Sequence, residues 1–266
     1  MCRFKSMILL KDRVFIPDYD SHDKMLDELG IEDNRKNAER LFVRVELSPA
    51  DGDVFSDIST WEFKADQDIL PEWYVKEVDR ERAVKAVKEW AENHIYIGEN
   101  NLELSGGGHY YIKDCKNVDV RDSATVKAWD SATVKAWDSA TVKAWDSATV
   151  KACGSATVEA WDSATVKAWD SATVEAWDSA TVKAWDSATV KAWDSATVEA
   201  WDSATVKAWD SATVKACGSA TVFNSLYASW KNKDTIILSD NATFKDNYTK
   251  TIYQSGDWKV VLVDKK

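Results

Sequence analysis

The chain has 266 residues, 34 basic against 45 acidic, for a net charge of −11. No cluster of Lys and Arg is present to neutralise phosphates, which excludes direct nucleic-acid binding of the basic-patch kind. The opening "MCRFKSMILLK" holds only a four-residue apolar run, too short for a signal-peptide core or a membrane span. Cys2, Cys115, Cys153 and Cys217 lack metal or disulfide-framework spacing, which points to a reduced, intracellular protein.

Residues 1–100 carry 15 basic and 23 acidic side chains, so most of the acidity sits here. The segment reads as a small α+β domain. "RVFIP" (Arg13–Pro17) and "LFVRVELSP" (Leu41–Pro49) are predicted strands, the second alternating Leu41, Val43, Val45 and Leu47. "SHDKMLDELG" places Ser21 at a helix N-cap and Gly30 where a C-cap falls. "STWEFKAD" adds a strand. Asp79–Ile95 is a predicted helix with Ala83, Val84, Val87, Trp90 and Ala91 on one face.

Residues 101–121 lead into a repeat array and form its N-terminal cap. "SGGGHYY" (Ser105–Tyr111) lacks the Lys-Ser/Thr ending of a phosphate loop and reads as a flexible joint. "DCKNVDVR" (Asp114–Arg121) fits the coming octad loosely, with Val118 and Val120 at its apolar places. Residues 122–222 then repeat "DSATVKAW" almost letter for letter, twelve times to Cys217. The tail, 223–266, loses the period but keeps strand-like runs in "DTIIL", "NATFKDN" and "WKVVLV", as a cap on an open β stack should.

Within "DSATVKAW" (Asp162–Trp169), strand geometry puts Ala164, Val166 and Ala168 on one face and Thr165 and Lys167 on the other. Lys cannot be buried unpaired, so the Ala-Val-Ala face is the interior. The fold class predicted is therefore mainly β: a β-solenoid, with each octad one strand and one corner. Interiors lined by Ala and Val suit a flattened tube of two octads, sixteen residues, per coil. Twelve octads make about six coils. Asp at the corner suits an Asx-turn, its carboxylate bonding an amide two residues on. Gly replaces it at Gly154 and Gly218, where Cys153 and Cys217 replace Trp.

A sixteen-residue coil stacks Trp129, Trp145, Trp161, Trp177, Trp193 and Trp209 in one column and Trp137, Trp169, Trp185 and Trp201 in another. These are the candidate binding residues. They serve as a stabilising indole ladder, as an adhesive stripe for a partner or a second copy, or as both. Glu replaces Lys at Glu159, Glu175 and Glu199; Lys143 and Lys191 flank the adjacent Glu159 and Glu175, which limits like-charge repulsion.

Catalytic chemistry finds little support. His22, His94 and His109 are the only histidines, and no nucleophile signature accompanies them. "DYDSHD" gathers Asp18, Asp20, His22 and Asp23, a weak candidate for a divalent cation, but it lacks the Gly and final Glu of a calcium loop, and Asp or Ser beside a helix start is ordinary capping. No catalytic residue and no cofactor are expected.

The "GSATVEAW" and "DSATVKAW" units, with "FVRVELSP" and "DQDILPEWY" ahead of a charged helix, resemble a group of bacterial and phage octapeptide-repeat proteins. The resemblance implies a β-solenoid and a phage or prophage setting, and it carries no catalytic residues. The expectation is a non-enzymatic binding or assembly protein in the bacterial host cytoplasm. Its partner is a protein, for example a host defence component blocked by occlusion, with homodimerisation through the solenoid faces a further route. Two alternatives stand beside it: an enzyme or metal-dependent domain at residues 1–100 scaffolded by the solenoid, and an acidic DNA mimic, which the near-balanced Lys and acids of the repeats disfavour.

Overall fold

In the computed structural model, residues 4–224, 236–247, 251–255 and 261–262 are described. The chain divides into two compact units, Met1–Ile95 and Tyr96–Lys266.

The first unit is a four-stranded antiparallel sheet with helices on its faces. Its strands are β1 (Lys5–Leu10), β2 (Val14–Phe15), β3 (Phe42–Ser48) and β4 (Glu62–Ala65), in the order β2-β1-β3-β4. The helices are α1 (His22–Glu28), α2 (Arg35–Ala38) and α3 (Lys76–Ala91). The Ser21 hydroxyl caps α1 by accepting from Lys24 N–H, and Gly30 takes φ +67° just beyond its end. Met25, Leu26 and Ala38 pack with Ile8 and Phe42. In α3, Ala83, Val87, Trp90 and Ala91 are buried, while Val84 is only half-buried.

Strand β1 is the element that periodicity did not announce. It is covered on both faces, so "KSMILL" presents a run instead of an alternation. Its Lys5 is 1% exposed, and the ammonium is satisfied by the Pro17 carbonyl at 2.7 Å, Asp20 at 2.9 Å and the Trp90 ring face at 4.8 Å. Asp79, also buried, accepts from Val75 N–H at 2.8 Å and pairs with Arg82 at 2.7 Å. That bond caps the start of α3, where no side chain of the N-cap residue does so.

The second unit is a β-solenoid. Strand Thr165–Ala168 pairs in parallel with Thr149–Ala152 on one side and Thr181–Ala184 on the other, like residue on like residue. Alternate octads therefore build two sheets, and sixteen residues make a coil. Ala164, Val166 and Ala168 are fully buried, as are their equivalents along the array, while Thr165 and Lys167 stand half-buried outside. Small inward side chains let the two sheets close on each other, and the backbone ladder satisfies the polar groups of each strand that has a neighbour on both sides.

Each corner is a four-residue turn: Ala164 N–H donates to the Trp161 carbonyl at 3.1 Å, across Asp162 at φ +55°. The carboxylate does not fold back onto its own turn as an Asx-turn requires. It reaches one coil back instead, where Asp178 Oδ2 accepts from Asp162 N–H at 3.5 Å and Asp186 Oδ2 from Asp170 N–H at 3.3 Å. The left-handed corner directs the carboxylate along the stack, so Asp stitches coils together. Where Gly stands, the backbone of the preceding coil lies close. A Cβ on Gly154 would lie 3.2 Å from Asp138 N, and Gly154 N–H reaches Asp170 Oδ2 at 3.0 Å.

The coil starts earlier and ends later than the perfect repeats. Positive φ recurs at Gly98, Gly106 and Asp114, each eight residues apart and in phase with Asp122. Ile112 fills the inward place below Ala128, Val118 and Val120 those below Val134 and Ala136, and Leu104 that below Val120. "SGGGHYY" is thus a coil corner running into strand His109–Lys113, and not a flexible joint. Gly106 N–H is held by Asp122 Oδ2 at 3.1 Å, and the Tyr110 phenol occupies the space a side chain on Gly108 would need. More coils are therefore wound than the six the repeats alone supply.

At the other end, Ile236–Leu238 and Thr243–Asp246 continue the two sheets in parallel, offset by 22 residues instead of sixteen. The last inward Ala positions become Asn224 and Asp246, both buried and bonded to each other at 2.7 Å. Thr251–Gln254 then pairs antiparallel on Thr243–Asp246, and Val261–Leu262 follows it. The predicted strand "DTIIL" is described only from Ile236 and "WKVVLV" only at Val261–Leu262; the rest lies outside the described residues.

Candidate functional site

Ten tryptophans repeat at the last place of the octad, and the sixteen-residue coil brings nine of them into stacks. Along the longer column the centroid separations are 4.7 Å for Trp129–Trp145, 4.8 Å for Trp145–Trp161, 4.9 Å for Trp161–Trp177 and Trp177–Trp193, and 4.7 Å for Trp193–Trp209. The planes are within 11° of parallel. In the second column Trp169–Trp185 and Trp185–Trp201 stack at 5.0 and 4.9 Å. All nine are half-buried and packed ring on ring. The separations suit offset stacking, since the strand spacing of ~4.8 Å exceeds aromatic contact distance and the rings must slide to meet.

Trp137 is the exception. Cys153 occupies the next place in its column, and its indole is 36% exposed. It is held by Asp119 Oδ1 at 3.1 Å from Nε1 and by the Arg121 guanidinium at 5.9 Å from the ring. Tyr111, in register with Lys127 and not with Trp129, reaches diagonally to stack on Trp129 at 6.4 Å; the octad pattern does not mark it because it stands at the place of the Lys.

Charge is arranged beside the rings. Lys143 pairs with Glu159 at 2.8 Å and Lys191 with Glu175 at 2.7 Å, so the two adjacent glutamates are each neutralised from outside. Lys183 pairs with Glu199 at 2.9 Å and also lies 5.9 Å from the Trp201 ring. Each pair is half-exposed and is worth at most about 1 kcal/mol.

In the N-terminal unit, the four residues of "DYDSHD" do not converge on one point. Asp18 pairs with His94 at 2.9 Å and Asp20 with Lys5, while Asp23 is exposed on α1. His22 turns instead toward the sheet, where it meets Glu46 and Asp66; among the described residues this is the only grouping of three metal-ligating side chains. Asp20, His22, Asp23 and Asp66 also border one shallow depression of about 490 Å³. Sequence reasoning missed Glu46 and Asp66 because they lie 24 and 44 residues from His22 and come together only through strand pairing.

The geometry defines a β-solenoid with two half-buried aromatic ladders, attached to a small α+β unit. Comparison with known protein families, with curated proteins and with solved structures finds no match to this chain. Among the described residues, no helix is long and apolar enough to cross a membrane.

Proposed function

We propose that this chain is a non-enzymatic binding or assembly protein whose contact surface is the pair of indole columns. The observation that carries the reading is the unbroken run of six half-buried indoles from Trp129 to Trp209. The interior is already closed by Ala and Val at 0% exposure, so the rings are not needed to fill it. A continuous aromatic strip with flanking Lys and Glu has the composition of an interface centre with its charged rim. The partner is a protein. In the phage or prophage setting that the octad suggests, it is a host protein blocked by occlusion.

The test compares the full-length protein with a variant in which Trp161, Trp177 and Trp193 are all changed to Ser, both immobilised in bacterial lysate. A partner captured by the first and lost by the second supports the reading, once circular dichroism shows the variant folded. Equal capture by both places the contact elsewhere. Light scattering at micromolar concentration separates a second copy from a foreign partner: a monomer excludes pairing through the ladders.

A further inference from the structure

The second indole column has one internal break. Cys153 stands between Trp137 and Trp169, two coils apart, and a strand spacing of ~4.8 Å puts those two places about 10 Å from each other. That is two offset-stacking steps, the room for one planar ring. Trp169 stacks on Trp185 at 5.0 Å, which leaves its other face turned to the break. Trp137 stacks on no ring among the described residues and is 36% exposed. Cys217 interrupts the same column again, but the next strand continues there with Ser239, so an indole stands on one side only.

The same octad departs from its neighbours in charge. Gly154 replaces the corner Asp, so the place that lacks the indole also lacks a carboxylate. On the outward face of this sheet Lys135, Lys151, Lys167 and Lys183 lie on adjacent strands in register, and like charges so placed repel. The outer two are neutralised, Lys135 by Asp119 at 3.6 Å and Lys183 by Glu199 at 2.9 Å. Among the described residues, the inner two, Lys151 and Lys167, have no ion pair. Lys151, two residues from Cys153, is exposed, whereas the other octad lysines from Lys127 to Lys191 are half-buried. The opposite sheet has no such run, because Glu159 and Glu175 interrupt its lysines.

We propose that this break seats one aromatic side chain of the protein partner, an indole or phenol sandwiched between Trp137 and Trp169, with a neighbouring carboxylate of the partner held by Lys151 and Lys167. The inference rests on the ladders being the contact surface and names the group that anchors there. Both walls of the break are ring faces, so a planar ring is favoured over an aliphatic chain of equal size. Two ammonium groups without an ion pair stand at its rim in a chain of net charge −11, and they select an acidic flank by charge-assisted hydrogen bonds. A basic flank meets the same lysines as a repulsion, which sets the specificity.

The experiment titrates the nitrogen-15-labelled full-length protein with the unlabelled peptide acetyl-Asp-Trp-Asp-amide and follows the indole N–H signals by NMR. Those of Trp137 and Trp169 should shift saturably, with a dissociation constant of about 0.1–1 mM for so short a probe, while those of Trp145 and Trp193 in the unbroken column should not. Replacing the peptide's Trp by Leu, or both of its Asp by Lys, should weaken binding about tenfold or more. Cys153→Trp fills the break with the residue that ten octads already carry, so it should fold, melt no lower than the parent and weaken binding about tenfold or more. Cys153→Ala leaves the break open and should bind within about twofold of the parent, and Lys151→Gln should weaken binding about threefold and reduce its salt dependence. Lack of a saturable shift, shifts spread over both columns, or binding undiminished in Cys153→Trp overturns the site. Indole-3-acetate binding about tenfold tighter than the peptide overturns it as a protein anchor and assigns the break to a free aromatic acid. Trp161, Trp177 and Trp193 stand in the other column, so lysate capture lost in their serine variant but kept in Cys153→Trp would overturn this site alone and leave the ladders as the contact surface.

Discussion

At the scale of single residues, the corner aspartate carries two loads at once: it holds a left-handed backbone angle, and its carboxylate caps an amide one coil away. Those loads separate by substitution. Asp178→Ala keeps the φ of +54° without the short polar side chain that tolerates it, and it removes the acceptor for Asp162 N–H. A loss of about 1–2 kcal/mol is expected, seen as a lower melting temperature. Asp178→Gly gives up the acceptor but relieves the angle, as Gly154 and Gly218 do naturally, and should cost less than about half as much. The thiols make a second residue-scale prediction. Burial pushes both Cys115 and Cys153 up from the usual thiol range, so less thiolate is present near pH 8 than in a free cysteine. Iodoacetamide labelling followed by mass spectrometry should find Cys115, which is 0% exposed, unmodified in the native protein and labelled only after denaturation. Native-state labelling at the denatured rate would mean that the early coils open.

At the scale of elements, ladder position should decide what a tryptophan contributes. Trp177 is stacked on both sides at 4.9 Å, and each stacked pair adds about 0.5–1.5 kcal/mol beyond burial. Trp177→Ala should therefore cost roughly 2–4 kcal/mol, including the lost burial. Trp137 has no stacked indole above it, only Asp119 and Arg121 at its edge and face, and Trp137→Ala should cost less than about 1 kcal/mol. Denaturant melts of the two variants check this, and equal losses would mean that stacking adds nothing. The polar end of the core belongs to the same scale. Asn224 and Asp246 replace the inward Ala, bond each other and so stop the apolar column without leaving a buried group unpaired.

At the scale of the whole molecule, the sixteen-residue coil makes length a countable variable. Deleting residues 162–177 removes two octads and returns each later strand to a partner of identical sequence. The shortened protein should fold with the same strand content by circular dichroism and the same type of cooperative melt, since each coil contacts chiefly its neighbours. Deleting only 170–177 sends every later strand to the opposite sheet. The chain beyond Gly218, where strand spacing lengthens to 22 residues and Asn224 meets Asp246, then stacks on the wrong sheet. That variant should lose at least several degrees of melting temperature or aggregate through an uncapped edge. Equal behaviour of the two deletions would contradict the coil.

Much of the solenoid was legible in the octad because its logic is local. Alternation assigns the interior, Ala and Val limit the distance between sheets, and a Trp every eighth residue in a sixteen-residue coil must form columns. The same period also ran back through Gly98, Gly106 and Asp114, but their octads share little beyond the corner residue and two inward apolar places, so identity of letters hid identity of backbone. What the tertiary structure alone decided lies in pairing across distance. It turned the aspartate carboxylates from their own turns to the preceding coil, and it buried β1, with its Lys5, in the middle of a sheet. It also drew His22 away from its neighbours in "DYDSHD" to Glu46 and Asp66. Such groupings depend on strand order and register, which are set by the summed packing of a whole sheet and leave no signal in the spacing of the residues themselves.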